Sequence, residues 1–204
     1  MRSNLIGVGS SRLVGKDTFF QVFKEICAQI IPDYNVERIS FAEPLREELN
    51  EFTIPKYNID LFNCSPEEKE LVRPLMIEHG RIKRCQTKGQ YFTNLAGIKI
   101  DAIKEIRPKT IFVITDLRYT SKVSGYLKDE FEWVKSRGGI VLNLERYYFV
   151  NDREVKFIET DIPDEIKNSK SIAASCDYYL NWQTTNNKEL RAAFVRPFVN
   201  WFLG

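Results

Sequence analysis

This chain is poor in the residues that build metal and disulfide frameworks: its 204 residues include one histidine and four cysteines. Cys27, Cys64, Cys85 and Cys176 lie far apart and form no Cys-x-x-Cys pair. Neither a structural zinc site nor a disulfide scaffold is therefore expected, and a reducing compartment suits the thiols. No apolar run approaches the roughly 20 residues that span a bilayer. The N-terminus also lacks the charged-then-apolar plan of a secretory signal, so the expected location is the cytoplasm, with no membrane partner. Charge of one sign is missing too: 30 Lys+Arg against 28 Asp+Glu leave a formal net charge of +2. That balance argues against a protein whose main partner is a nucleic-acid backbone. Internal repeats, low-complexity tracts and composition breaks are absent, so residues 1–204 read as one domain, long enough to bury a substantial core.

What is present begins near the N-terminus. Leu5-Ile6-Gly7-Val8-Gly9 reads as a buried strand, and Ser10-Ser11-Arg12-Leu13-Val14-Gly15-Lys16-Asp17-Thr18 as a loop entering a helix. A phosphate-cradling loop asks for Gly, four residues, Gly-Lys and a hydroxyl. Its backbone N–H groups wrap the anion, the Lys neutralises it and the hydroxyl reaches Mg²⁺. Here Ser10 occupies the first Gly position and Gly9 lies one residue early, so either the loop is one residue longer or Ser10 substitutes. Asp17 stands where Ser or Thr is expected, with Thr18 next. A metal contact would come through Thr18, through Asp17 or through a water held by Asp17. On this reading ATP phosphates lie against Ser10, Ser11, Arg12, Gly15, Lys16, Asp17 and Thr18, helped by the unpaired N–H groups of the helix start. The plainer reading is an ordinary strand-to-helix turn with Asp17 or Thr18 as its cap.

Downstream, Phe19, Phe20, Val22, Phe23, Ile26 and Ile30 recur at helical spacing and give one apolar face. Thr110–Thr115 and Gly139–Leu144 read as buried strands, Val36–Phe41 and Cys176–Leu180 as further strands. Pro44 to Phe52, Phe92 to Ile106, Lys122 to Arg137 and Asn187 to Phe202 read as helices. Ser65-Pro66-Glu67-Glu68 is a helix opening with a Ser cap, Pro in the first turn and acids at the positive end. Strands alternating with helices predict an α/β fold with a mostly parallel sheet of about five strands and helices on both faces. Ligands then belong at the carboxyl ends of the strands. Residues 147–171 are polar and without strong periodicity, so a lid or flap is expected there.

Two junctions deliver chemistry to that edge. The strand ending Thr115-Asp116-Leu117-Arg118 brings an Asp that can hold Mg²⁺ through water and an Arg that can fork onto phosphate oxygens; the alternative is a solvated salt bridge. Ser40-Phe41-Ala42-Glu43-Pro44-Leu45-Arg46 places Glu43 and Arg46 at a strand-to-helix junction. Phe41 is read equally as a base cover or as core. Arg73, His79, Arg81, Lys83, Arg84 and Lys88, with Tyr91 and Phe92, form a basic and aromatic stretch suited to phosphates, to a nucleic-acid strand or simply to solvent.

Taken in order, Gly15-Lys16-Asp17-Thr18, Phe41 to Arg46, Arg73-Pro74-Leu75-Met76 to Gly80 and Arg84, Tyr91-Phe92-Thr93-Asn94, and Asp116-Leu117-Arg118-Tyr119 resemble the deoxynucleoside monophosphate kinases of bacteriophages. The resemblance implies a P-loop kinase-like three-layer sandwich that moves the ATP γ-phosphoryl group to a deoxynucleoside monophosphate with Mg²⁺. It implies that Lys16 and its loop hold ATP and that Arg46 and Arg118 stand near the acceptor. The residues themselves point to Lys16, Asp116 and Arg118 as catalytic, to Asp17, Thr18 and Asp116 around the metal, and to Phe41, Glu43, Arg46, Arg73, Arg84 and Arg118 around the acceptor. Arg46 stands at a family Lys, Tyr119 at a family Phe and Met76-Ile77 at a Leu-Gln pair. The expected partners are small nucleotides, with a homodimer left open. Two rivals remain: an NTP-binding protein acting on nucleic acid through Arg81 to Lys88, and a nucleotide-binding regulator without catalysis.

Overall fold

The computed structural model describes residues 1–9, 13–151, 153–156 and 163–204. β1 (Leu5–Gly9) is buried at every position, as its uninterrupted Leu-Ile-Gly-Val-Gly run requires of a strand covered on both faces. It pairs in parallel with β3 (Thr110–Leu117) on one side and β4 (Ile140–Val150) on the other. β2 (Asn35–Ile39) extends the sheet beyond β3, and β6 (Tyr178–Gln183) pairs in parallel with β4. The sixth strand, β5 (Arg153–Lys156), folds back antiparallel on Tyr147–Val150 of β4, so the sheet is mixed. Its Arg-Glu-Val-Lys letters carry almost no strand preference, and it exists only as the return arm of a hairpin.

Side-chain alternation along the strands sends residues to two cores. Ile6, Val8, Val113, Leu142 and Leu144 meet α1 (Lys16–Ile30) and α8 (Lys188–Leu203). There Phe19, Phe23, Phe198 and Phe202 interlock, with ring centroids 5.7 Å apart for Phe19–Phe198 and for Phe23–Phe202. Leu5, Phe112, Ile114 and Val141 face the other way, toward α4 (Tyr91–Ile106), α6 (Glu130–Ser136) and α7 (Pro163–Ala173), which supply Phe92, Ile100, Trp133 and Ile172. A smaller cluster of Leu49, Ile59, Leu61 and Val72 joins α2 (Ala42–Tyr57) to α3 (Pro66–Gln86).

Several boundaries differ from the sequence reading: β2 stops at Ile39, short of Phe41, and β6 runs over Tyr178–Gln183 rather than Cys176–Leu180. α2 runs past Phe52 and through Pro55, ending where Asn58 turns to φ +56° and donates to the carbonyl of Ile54, while Ile59 N–H donates to that of Thr53. The expected helix over 122–137 is two: α5 (Ser121–Ser124) stops at Gly125, whose φ of +76° suits glycine, and α6 restarts behind Asp129, whose carboxylate accepts from Glu130 N–H. The stretch expected as a flap holds the β4–β5 hairpin and most of α7. Residues 152 and 157–162 lie outside the described residues. α7 is anchored by buried Ile172 and by Asn168, whose side chain accepts from Thr120 N–H at 3.0 Å. Among the described residues no helix is long and apolar enough to cross a membrane.

Candidate functional site

The sheet changes direction at β1. The chain leaves it toward β2 and β3 on one side and later crosses to β4 on the other, which opens a crevice at the carboxyl end of β1. The loop following β1 therefore sits where an α/β sheet binds ligands. Ser10, Ser11 and Arg12 lie outside the described residues. The rest of the loop ends in Gly15 at φ +91°, a left-handed conformation that only glycine adopts at little cost. Gly15 is the N-cap of α1, and no side chain accepts a hydrogen bond there. Among the described residues neither Asp17 nor Thr18 caps the helix, which removes that part of the ordinary-turn reading.

Lys16 is half-buried at this start. Burial, reinforced by the Arg118 guanidinium, lowers its ammonium from 10.5 to about 8, against the opposing pull of Asp116, Asp17 and Glu165. Asp17 is exposed and pairs at 2.7 Å with Arg38 at the end of β2, while Arg38 Nε donates at 2.9 Å to Thr115 Oγ1. Arg38 was not among the residues singled out from sequence. A groove of about 390 Å³ starts beside Asp17 and Thr18 and runs between α1 and α8 past Gln21 and Arg191.

Asp116 is occupied differently from the expectation of a catalytic or metal carboxylate. Its oxygens accept from Ser40 Oγ at 2.6 Å and from the backbone N–H groups of Phe41 and Ala42 at 2.9 Å each. Three of a carboxylate's roughly four acceptor sites are thus spent pinning the start of α2, leaving about one for a water. Asp116→Asn loses charge-assisted bonds to this helix start. We expect about 1–2 kcal/mol lower stability in urea unfolding, more than is usual for a half-exposed site.

Across the crevice, basic side chains converge. Arg118 follows β3; its N–H donates to Glu130 at 2.7 Å and its guanidinium meets Glu165 of α7 at 3.3 Å. Arg46 of α2 lies 5.9 Å over the Phe62 ring, and its buried Nε has no hydrogen-bond partner among the described residues. Lys69 of α3 is pushed below the ordinary lysine range by burial and by Arg46, Arg73 and Arg118. Arg73 itself pairs with Glu70. Lys69 is absent from the sequence-based set, although its spacing four residues before Arg73 places both on one helix face.

Three other expected acceptor residues are engaged elsewhere. Phe41 is 3% exposed and packs edge-on against Trp133, so it is core and covers no base. Glu43 pairs with Lys99 of α4 at 2.6 Å. Arg84 is 7% exposed, lies 3.4 Å over the Tyr119 ring and grips Asp129 with two bonds of 3.0 and 2.8 Å. It is committed to a buried ion pair rather than to a phosphate. The neighbouring basic stretch is likewise neutralised: Arg81 pairs with Glu78, and Lys83 and His79 with Glu48, which also accepts from the Tyr91 hydroxyl.

Among the described residues no group of three or more His, Cys, Asp or Glu side chains gathers to hold a metal. The Thr18 hydroxyl and the exposed Asp17 carboxylate are hard oxygen donors, suited to a Mg²⁺ whose other ligands are phosphate oxygens and water. No protein-family model matches the chain, and no curated protein matches it.

Proposed function

We propose that this protein is a phosphotransferase of the P-loop kinase-like type, transferring the ATP γ-phosphoryl group to a deoxynucleoside monophosphate. The observation that carries the reading is the meeting of two anion sites at one sheet edge. One is the start of α1 behind the left-handed Gly15, with the Lys16 ammonium; the other is the cation set of Arg46, Lys69 and Arg118. A phosphoryl donor and a phosphate acceptor need this pairing, because the barrier falls chiefly when the two oxygens are held in line and the spreading negative charge meets fixed cations.

In this mechanism the first-turn N–H groups of α1 and the Lys16 ammonium hold the donor phosphates. The donor nucleoside lies along the α1–α8 groove, whose size is in the range of small-ligand pockets. Thr18 and Asp17 would hold a Mg²⁺, which would supply charge neutralisation on the phosphates. Asp116 keeps the start of α2 in place and thereby Arg46 at the crevice. Arg118, beside Lys16 and within reach of Lys69, is the cation placed to meet charge on the transferring group. No general base is needed for this chemistry.

The reading of the chain as an NTP-dependent protein acting on nucleic acid through Arg81 to Lys88 loses support, since Arg81 and Lys83 pair with acids and Arg84 is buried. The test is ADP release in a coupled assay with Mg²⁺-ATP. Stimulation by a deoxynucleoside monophosphate and not by single-stranded DNA is expected; stimulation by DNA alone rejects the proposal. Within the active protein, Lys69→Ala is expected to raise the acceptor KM about tenfold while leaving the ATP KM unchanged. An equal rise in both constants would remove Lys69 from the acceptor side.

A further inference from the structure

The base of the phosphate loop rests on a residue from the far end of the chain. Trp182 lies on β6, is 3% exposed and sits in the core beneath α1. Its indole Nε1–H donates at 2.9 Å to the carbonyl of Val14, 168 positions earlier. The six-membered part of the same ring presses on Gly15: a Cβ built there would lie 2.7 Å from Trp182 Cζ2. One side chain thus both holds the last carbonyl before the turn and fills the space that Gly15 leaves open.

We propose that Trp182 is the positioning residue of the phosphate loop: it sets the left-handed turn at Gly15 that aims the first N–H groups of α1 at the donor phosphates. The inference rests on the donor-site reading above and adds a residue that neither motif spacing nor composition singles out. Two geometric facts support a positioning role over simple core filling. A buried indole N–H needs a partner, and the one it takes is a loop carbonyl rather than a strand carbonyl, although β6 is itself hydrogen-bonded along β4. A Cβ at position 15 would collide with the ring, and the positive φ there favours glycine, so loop conformation and Trp182 packing are mutually dependent. Trp182 touches no expected phosphate directly; it acts through Val14 and Gly15.

The consequence is a specific split. Without the indole N–H, Val14 loses its anchor and the turn samples other conformations, so donor binding weakens while chemistry on bound substrate is largely kept. Trp182→Phe keeps an aromatic ring and removes only the donor and part of the bulk.

The experiment compares wild type and Trp182→Phe by amide hydrogen exchange over residues 13–18, by calorimetric titration with Mg²⁺-ATP and with tripolyphosphate, and by steady-state kinetics. Expected are exchange about tenfold faster at residues 13–18 with β1 and β3 unchanged, affinity for both probes about tenfold lower, a matching rise in ATP KM, and kcat within about twofold. Intrinsic fluorescence gives a second reading: the response to tripolyphosphate is lost in Trp182→Phe and kept in Trp133→Phe and Trp201→Phe. Unchanged exchange at residues 13–18, or unchanged affinity for both probes, overturns the role of Trp182. Faster exchange spread evenly over the whole chain also overturns it, because that is the mark of a purely structural residue. If wild type binds tripolyphosphate but forms no diphosphate, the kinase reading fails, while the exchange and affinity comparison still decides the role of Trp182.

Discussion

Lys16→Met is expected to reduce phosphoryl transfer by about 10³-fold or more and, in the same protein, to raise the stability of the ligand-free fold by on the order of 1 kcal/mol. The two effects have one cause. The Lys16 ammonium is half-buried beside Arg118, and its pKa of about 8 against 10.5 means that the fold disfavours the charged form. Below about pH 8 the folded and unfolded chains both bind the proton, so the cost of the buried charge is present in full. Between about 8 and 10.5 the unfolded chain keeps a proton that the folded chain has released, so stability rises with pH through this window. On the proposed reading, donor phosphates would add negative charge beside this ammonium and favour its protonated form. Urea unfolding of wild type and variant at pH 7 and pH 10 checks the sign: the stability gained by substitution should shrink at the higher pH. A variant less stable than wild type at pH 7 would mean that the ammonium is already well paired in the free protein.

The second large effect falls on stability. Arg84→Met should cost about 3–5 kcal/mol, because it leaves Asp129, 0% exposed, and buried Glu130 without their cation. Burial already pushes the Glu130 carboxyl above the usual range, with the neighbouring Asp129 adding to the shift and Arg84 opposing it. Removing Arg84 drives Glu130 further toward the neutral form. Adding Asp129→Asn to the variant should recover part of the loss, since the pair then leaves one buried charge fewer uncompensated. Equilibrium unfolding of the single and double variants measures this. A single-variant loss below about 1 kcal/mol, combined with a large rise in acceptor KM, would return Arg84 to the substrate site.

Legibility in the sequence followed the range of the interaction that decides each feature. Buried strands announced themselves as apolar runs, and β1, β3 and the first half of β4 lie where Leu5–Gly9, Thr110–Thr115 and Gly139–Leu144 placed them. Ser65 and Glu68 form the reciprocal cap of α3 that their three-residue spacing predicts. The break between α5 and α6 was missed because Gly125 and Asp129 look tolerable in a helical window until a left-handed turn is imposed. Site residues were harder, because their partners are distant in the chain. Asp116 takes its partners 74 to 76 positions away and Arg84 takes Asp129 45 positions away. An Asp or Arg letter carries no mark of whether it will meet a ligand or another residue. Arg38, Lys69 and Trp182 escaped for the same reason: none belongs to a short motif, and each gains its meaning from what the sheet brings beside it.

The most direct test of the central claim is transfer of γ-labelled phosphate from Mg²⁺-ATP to each of the four common deoxynucleoside monophosphates, with Lys16→Met as control. The account predicts a labelled deoxynucleoside diphosphate from at least one acceptor, formed in equal amount with ADP and absent with the variant. Folded wild-type protein that labels none of the four, or a Lys16→Met variant as active as wild type, would contradict it.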